Sequence, residues 1–177
     1  VGGGQDDYVA GLKKLAGELG VSDCVHFLGL LTGDEKWSAL AASRVFVLPS
    51  LQENFAIAVA EALQVGLPVL ITERINIWRE IVDAGAGIAL QERRLEEDLA
   101  RQATALLSDQ HRCRDMEQKA QALALRADAQ MDVAVEEIGV HGADMFGQVV
   151  SVQGCDCRLA YFQRDRVRVV KVEMPGT

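Results

Sequence analysis

Two glutamates, Glu53 and Glu61, stand on either side of a predicted helix start and have the types and spacing that could do chemistry. Glu61 lies within residues 57–65, IAVAEALQV, which are apolar nearly all round and typical of a buried helix. A carboxylate in such a helix needs a cation, a hydrogen-bond donor or a proton, because unpaired burial is very costly. No Lys or Arg stands three or four residues away. We therefore expect the partner of Glu61 to come from elsewhere in the fold or from a ligand.

The loop of residues 52–56 leads into the start of this helix. Free backbone N–H groups and the positive end of the helix dipole favour an anion there, such as a phosphate or diphosphate. Glu53 can reach hydroxyls on one side of that anion, and Glu61, roughly 6 Å along the helix, can reach hydroxyls on the other. The pattern suits a ligand of the form sugar–diphosphate–ribose. From spacing alone a structural interpretation stays open, in which Glu53 stabilises the helix start and Glu61 is a half-exposed helix residue.

The first two thirds of the chain alternate short apolar strands with helices. Predicted strands cover residues 25–28, 45–48, 68–71 and 87–90, and predicted helices cover residues 8–19, 34–42, 57–65, 77–83 and 95–107. Strands that are apolar on both faces and separated by helices indicate an α/β fold, a Rossmann-like doubly wound parallel sheet. Ligands of such sheets bind outside the carboxyl ends of the strands. The loops at residues 50–56 and 72–76 are therefore the candidate binding loops.

Two domains are predicted, with a boundary near residue 139. Residues 139–177 have a formal charge of +1, whereas the rest of the chain has −9. We expect residues 1–138 to form the Rossmann-like domain and residues 139–177 to be a β-rich tail of unknown role, either a small antiparallel meander or a segment that does not fold. The three glycines after Val1 resemble a strand end cut off from its strand, so we expect a fragment truncated at its N-terminus.

The overall composition argues against several classes of protein. A net charge of −8 without a clustered basic face argues against nucleic-acid binding. The apolar runs are far shorter than the roughly 20 residues of a membrane helix, and no signal peptide is visible. The four scattered cysteines do not resemble a disulfide framework, which fits a cytoplasmic location. The acidic run that ends at Asp98 is expected to be a solvated helix start.

Residues 46–69, FVLPSLQENFAIAVAEALQVGLPV, resemble the Glu-x7-Glu signature of retaining glycosyltransferases of family four, which have the GT-B fold. Residues 1–4 are similar to the glycine loop of that family, and residues 25–29 to its Val-x-Phe-x-Gly strand. The resemblance covers about residues 1–125 continuously and in order. It implies that the chain is the C-terminal, donor-binding domain of such an enzyme.

The resemblance also implies a role for each matching residue. Glu53 is the implied catalytic residue, which would bind hydroxyls of the donor sugar and orient it, and Glu61 would bind the ribose hydroxyls. Backbone amides at the helix start would hold the sugar and diphosphate, and the end of the Val-x-Phe-x-Gly strand would flank the base. These further donor-binding positions are Asn54, Phe55, Ala56 and Ile57 at the helix start, and Phe27, Leu28 and Gly29 at the strand end.

The implied reaction is transfer of a hexose from a nucleotide diphosphate, such as a UDP- or GDP-hexose, to an acceptor hydroxyl with retention. No metal or other cofactor is expected, because protein groups neutralise the leaving diphosphate in this family. The implied partner is the N-terminal GT-B domain that this chain lacks, and the resemblance leaves room for peripheral membrane association of the intact enzyme. The alternative is a nucleotide-sugar-binding module without turnover of its own.

Three departures from the family pattern bear on activity. Ala56 stands where the family usually has glycine, and its methyl group would narrow the diphosphate site. The Arg and Lys that clamp the diphosphate lie upstream of the glycine loop and are not in this chain. A β-rich tail follows Leu125 in place of the helix that usually crosses back to the N-terminal domain.

Overall fold

The computed structural model of the chain describes residues 6–50, 57–131, 158–163 and 166–171. The helices are α1 (Asp6–Glu18), α2 (Gly33–Ala41), α3 (Ile57–Gln64), α4 (Trp78–Asp83), α5 (Leu95–Ser108) and α6 (Gln110–Met131). The strands are β1 (Phe46–Leu48), β2 (Val69–Thr72), β3 (Gly87–Leu90), β4 (Arg158–Gln163) and β5 (Arg166–Lys171). Short 3-10 turns occupy Ser22–Cys24 and Glu92–Arg94.

A parallel sheet of three strands forms the centre of the α/β unit, in the order β1-β2-β3. Phe46 pairs with Val69, and Val69 pairs with Gly87 on its other side. Each strand is followed by a helix that leads back along the sheet, as the alternation of apolar runs and helices predicts. The predicted α/β fold with a parallel sheet is therefore confirmed.

Both faces of this sheet are buried under helices. Successive side chains of a strand point to opposite faces, so each strand contributes to both buried clusters. Val47 and Leu70 pack on one face with the apolar side of α5. Phe46, Val69 and Ile71 pack on the other face, among side chains of α3 and α4. Burial on both sides explains why β1 and β2 are continuously apolar rather than alternating.

Helix α6 joins the two halves of the core, and the sequence pattern does not predict it. Its first buried residues, Cys113 and Met116, belong to the cluster under α5, whereas Ala120 and Ala124 belong to the cluster under α3. The buried stripe is narrow and made of small or soft side chains in a polar helix, so the apolar periodicity is weak.

The predicted strand at residues 25–28 is wrong. Val25 has an extended backbone, but no strand is assigned between residues 25 and 32. An extended segment becomes a strand only when a neighbouring strand completes its hydrogen bonds. Among the described strands, β1 pairs with β2 and not with this segment.

The tail contains one antiparallel pair in its described part, β4 with β5, in which Arg158 pairs with Lys171. Two of the three β-rich runs thus pair in the antiparallel sense. The run at residues 148–152 and the predicted boundary near residue 139 lie outside the described residues.

Cys24 and Cys113 differ in oxidation state. Cys113 is a buried free thiol. Cys24 is disulfide-bonded, which the scattered spacing of the cysteines did not predict.

Candidate functional site

The carboxyl edge of the sheet is where the helix starts converge. Helices α3 and α4 connect parallel strands, so each begins near the carboxyl end of the strand before it. Helix α5 begins one short turn after β3, and α2 begins at the same edge because its C-terminus leads into the start of β1. Ser50 and residues 72–76 follow β1 and β2 at this edge, as predicted, whereas residues 51–56 of the first candidate loop lie outside the described residues.

Helix α3 is short and fixed by its buried side and its C-terminus. Val59, Ala62 and Leu63 are buried against the sheet and its neighbours. The helix ends in a Schellman motif, in which Gly66 N–H donates to Leu63 and Leu67 N–H donates to Ala62. Gly66 has a φ of +81°, which explains the glycine that marked the predicted end of this helix. The position of Glu61 at the site is therefore set by the buried side of the helix and by its C-terminal cap.

Glu61 is paired with a lysine from a different helix. The ammonium of Lys36, in the first turns of α2, lies 2.5 Å from Oε1 of Glu61. The side chains of Lys36 and Glu61 are 31% and 22% exposed, so the ion pair is partly buried and still accessible to solvent. Of the two sources expected for the partner of Glu61, the rest of the fold and a ligand, the rest of the fold supplies Lys36. Sequence reasoning did not single out Lys36, because nothing in the spacing of 25 residues marks the two as neighbours.

Lys36 also has an aromatic contact. Its ammonium lies 5.0 Å from the centre of the Trp37 ring, within the range of a cation–π interaction. The same ammonium therefore has two partners at once, a carboxylate on α3 and the indole of its own neighbour. Two contacts restrict a side chain that would otherwise be flexible.

Four of the predicted donor-binding residues, Glu53, Asn54, Phe55 and Ala56, lie outside the described residues. Ile57 is described: it is the first residue of α3, and its side chain is 47% exposed. An exposed isoleucine at the start of a helix is free of core packing. It is placed where a ligand at the helix start would contact it.

Phe27, Leu28 and Gly29 lie in the irregular segment between the short turn at Ser22–Cys24 and α2. The Phe27 ring is partly buried, with the Lys13 ammonium 5.9 Å from its centre. Leu28 is 48% exposed, and Gly29 has a φ of +69°. These residues belong to no strand, whereas the sequence suggested a strand end.

Polar contacts fasten the loops of the carboxyl edge to one another. The hydroxyl of Thr72, at the end of β2, donates to the backbone carbonyl of Ser50, just after β1. Arg74 Nε lies 2.9 Å from Oε2 of Glu92, which joins the loop after β2 to the turn after β3. Thr72 is fully buried, whereas the Arg74–Glu92 pair is exposed. The Thr72 bond is therefore the stronger of these two constraints at the carboxyl edge.

Asp98 corrects the expectation for the acidic run at the start of α5. Its side chain is buried and accepts hydrogen bonds from Gln91 N–H, Arg101 and Gln102. Burial raises the pKa of Asp98, but the hydrogen bonds from Gln91 and Arg101 outweigh burial and hold that pKa below its usual 3.8. The prediction that Asp98 is solvated is therefore wrong: its carboxylate is buried and hydrogen-bonded to the backbone after β3.

Within the described part of the chain, no cluster of His, Cys, Asp and Glu is arranged to hold a metal ion. Among the same residues, no helix is both long and apolar enough to cross a membrane.

Comparison with known proteins bears on the whole of the α/β unit. The family model described as "Glycosyl transferases group 1" matches residues 1–123, which is more than half of the chain. The chain is also similar to the solved structure of WaaG, a glycosyltransferase involved in lipopolysaccharide biosynthesis. The TM-score is 0.58 and the sequence identity 28%, over 74% of this chain and 36% of that chain.

Two curated relatives match shorter segments. The MMP alpha-(1->4)-mannosyltransferase of Mycolicibacterium hassiacum is 37% identical over 70 residues, which are 40% of this chain and 17% of the relative. The D-inositol 3-phosphate glycosyltransferase of Streptomyces bingchenggensis is 38% identical over 77 residues, which are 44% of this chain and 17% of the relative. The chain thus spans less than a fifth of the length of these relatives. On the family match over residues 1–123, together with the parallel α/β fold, the chain belongs to the group 1 glycosyl transferases.

Proposed function

We propose that this chain is the donor-binding half of a retaining glycosyltransferase, and that it binds a nucleotide diphosphate sugar such as a UDP- or GDP-hexose. The observation that carries the proposal is the position of Glu61. It lies just over one turn into α3, a helix that begins at the carboxyl edge of the sheet, where ligands of such sheets bind. Family membership supports the same ligand class.

In this proposal the donor lies along the start of α3. The diphosphate is held by backbone N–H groups at residues 54–57 and by the positive end of the helix dipole. Glu61 accepts hydrogen bonds from the ribose hydroxyls, and Glu53 accepts them from the sugar and orients it. Phe27, Leu28 and Gly29 flank the base. The site uses no metal ion, because the start of α3 and, in the intact enzyme, the Arg and Lys that lie upstream of the glycine loop neutralise the diphosphate.

The proposed reaction belongs to the intact enzyme, in which an N-terminal GT-B domain closes the cleft and supplies the acceptor site. Transfer of the hexose to an acceptor hydroxyl passes through an oxocarbenium-like transition state. Catalysis comes mainly from positioning the two substrates and from stabilising the leaving diphosphate. We place the intact enzyme in the cytoplasm, where it would associate with a membrane peripherally.

Binding to the chain tests the donor site directly. Calorimetry with UDP, GDP and their hexose conjugates should show saturable binding that EDTA does not abolish. Absence of binding of all of them at millimolar concentration would contradict the donor site. Glu61→Ala should weaken binding of the free nucleotide, whereas Glu53→Ala should mainly remove the preference for the sugar-bearing form. Equal effects of both changes on the free nucleotide would contradict this division of roles.

The second candidate function is a nucleotide-sugar-binding module without turnover. The presence of Ala56 in place of the usual glycine favours it, because an added methyl group narrows the approach to the diphosphate. Co-expression with a matching N-terminal domain distinguishes the two functions. Transfer activity in the reconstituted protein supports the enzyme, and binding without transfer supports the module.

A further inference from the structure

Lys36 occupies a position that the proposed donor site does not yet explain. It belongs to α2, precedes Glu61 by 25 residues and reaches Oε1 of that glutamate at 2.5 Å. Its ammonium also lies 5.0 Å from the Trp37 ring. No other described cation forms an ion pair with Glu61.

A carboxylate that recognises a ligand must be held in one orientation. Glu61 stands on an otherwise apolar helix, and its flexible side chain loses rotational freedom when it binds. A partner that fixes the carboxylate before the ligand binds lowers the entropic cost of binding, and this raises the affinity for the ligand. Lys36 is placed to do this, because it comes from another helix and is itself restricted by Trp37.

From this geometry we infer that Lys36 is a positioning residue for ribose recognition, an inference that rests on the proposed function. The ammonium holds Oε1 of Glu61, and Oε2 accepts the ribose hydroxyls. An ionised carboxylate has about four acceptor sites, so one ion pair leaves enough capacity for two hydroxyls. Lys36 thereby determines how strongly the site prefers a ribonucleotide over a deoxyribonucleotide, although it does not touch the ligand.

The test compares Lys36→Met with a matched control, Lys119→Met. Lys119 forms an ion pair with Asp115 at the same distance of 2.5 Å, but within α6. Each variant of the chain is titrated by calorimetry with UDP and GDP, and with the 2′-deoxy and 3′-deoxy forms of whichever nucleotide binds. Thermal unfolding of each variant checks that it is folded. If Lys36→Met lacks a cooperative transition, Lys36→Gln replaces it, because the amide keeps a donor near Glu61.

We expect Lys36→Met to weaken binding of the ribonucleotide about tenfold, a coupling usual for groups in direct contact. For the deoxynucleotide that lacks the hydroxyl bound by Glu61, Lys36→Met should weaken binding only about twofold or less. Lys119→Met should change neither affinity, and Lys36→Arg should retain the preference for ribose.

Two results would overturn the inference. An unchanged affinity for the ribonucleotide would show that Lys36 has no part in binding. An equal loss for the ribonucleotide and both deoxy forms would show that Lys36 supports only the fold. If the unmodified chain binds neither UDP nor GDP, the proposed function itself fails, and that failure is visible before any variant is made.

Discussion

The backbone N–H of Gln91 donates a 2.9 Å hydrogen bond to Oδ2 of Asp98, and this bond fastens the start of α5 to the end of β3. Oδ1 of the same carboxylate accepts from Arg101, which is mostly exposed. Asp98 thus satisfies a backbone donor that follows the strand directly. The carboxyl edge is held at β3 by a buried charge with several hydrogen bonds rather than by apolar packing alone.

Asp98→Ala should lower the free energy of unfolding by about 1–3 kcal/mol, because the buried carboxylate and the hydrogen bonds that it accepts from Gln91 N–H and Arg101 are lost. Urea unfolding followed by circular dichroism measures the change. Glu97→Ala is the matched control: it removes a carboxylate from the same helical turn at an exposed position and should stay within about 0.5 kcal/mol. Equal effects of the two substitutions would mean that the Gln91 bond contributes nothing to stability.

The stabilisation by Asp98 should also depend on pH. Its pKa in the folded chain lies below the usual 3.8, despite burial, because of the bonds from Gln91 and Arg101. The unfolded chain therefore takes up a proton before the folded chain does. The stabilisation is fully present above the unfolded pKa and is lost as the pH falls through the folded pKa. The difference in unfolding free energy between the unmodified chain and Asp98→Asn should shrink between pH 6 and pH 3, and a constant difference would contradict the assignment.

The sequence predicts the elements that strong apolar patterning defines. Strand β3 falls on residues 87–90 as predicted, and α3 ends at the glycine that marks it. Helix α6 escapes prediction because its buried stripe is mostly small residues, and the strand at residues 25–28 is wrong because local apolarity does not supply a pairing partner.

The candidate site is predictable to the level of elements and not to the level of contacts. The apolar surroundings of Glu61 require a partner, so its existence could be inferred from the sequence. The identity of that partner depends on how α2 packs beside α3, which no local pattern encodes. Asp98 shows the same limit, since an acid at a helix start is normally solvated and its burial is set by tertiary packing.

The C-terminal cap of α3 gives a prediction about backbone conformation. Gly66→Ala should lower stability by about 1–2 kcal/mol, because φ is +81° and left-handed backbone is unfavourable for residues with a Cβ. The added Cβ would also lie 2.8 Å from Nε2 of Gln121 on α6. Combining Gly66→Ala with Gln121→Ala should remove the close contact with Gln121 but keep the part of the stability loss that comes from the left-handed backbone.

Gly11→Ala is the control for this glycine. Gly11 is in the middle of α1, with nothing within 4 Å of an added Cβ, so the same change should raise stability by about 0.5–1 kcal/mol. Thermal unfolding of both variants measures the contrast. A Gly66→Ala variant as stable as Gly11→Ala would show that the cap does not constrain the helix.

The buried hydroxyl of Thr72 gives a prediction that links fold to binding. Its hydrogen bond to the Ser50 carbonyl holds the point at which the chain enters the loop carrying Glu53. Thr72→Val keeps the shape of the side chain and removes the donor, so stability should fall by about 1–2 kcal/mol. Because Ser50, just after β1, is then held less firmly beside the proposed donor site, affinity for the nucleotide sugar should fall about threefold to tenfold.

Thr72→Ser separates the hydroxyl from the bulk of the side chain. It keeps the donor but loses a buried methyl group, so its stability should fall by about 1 kcal/mol while its nucleotide-sugar affinity stays near that of the unmodified chain. Calorimetry and urea unfolding on the two variants give the comparison. If Thr72→Val binds the nucleotide sugar as tightly as Thr72→Ser does, the bond to Ser50 stabilises the fold without contributing to donor binding.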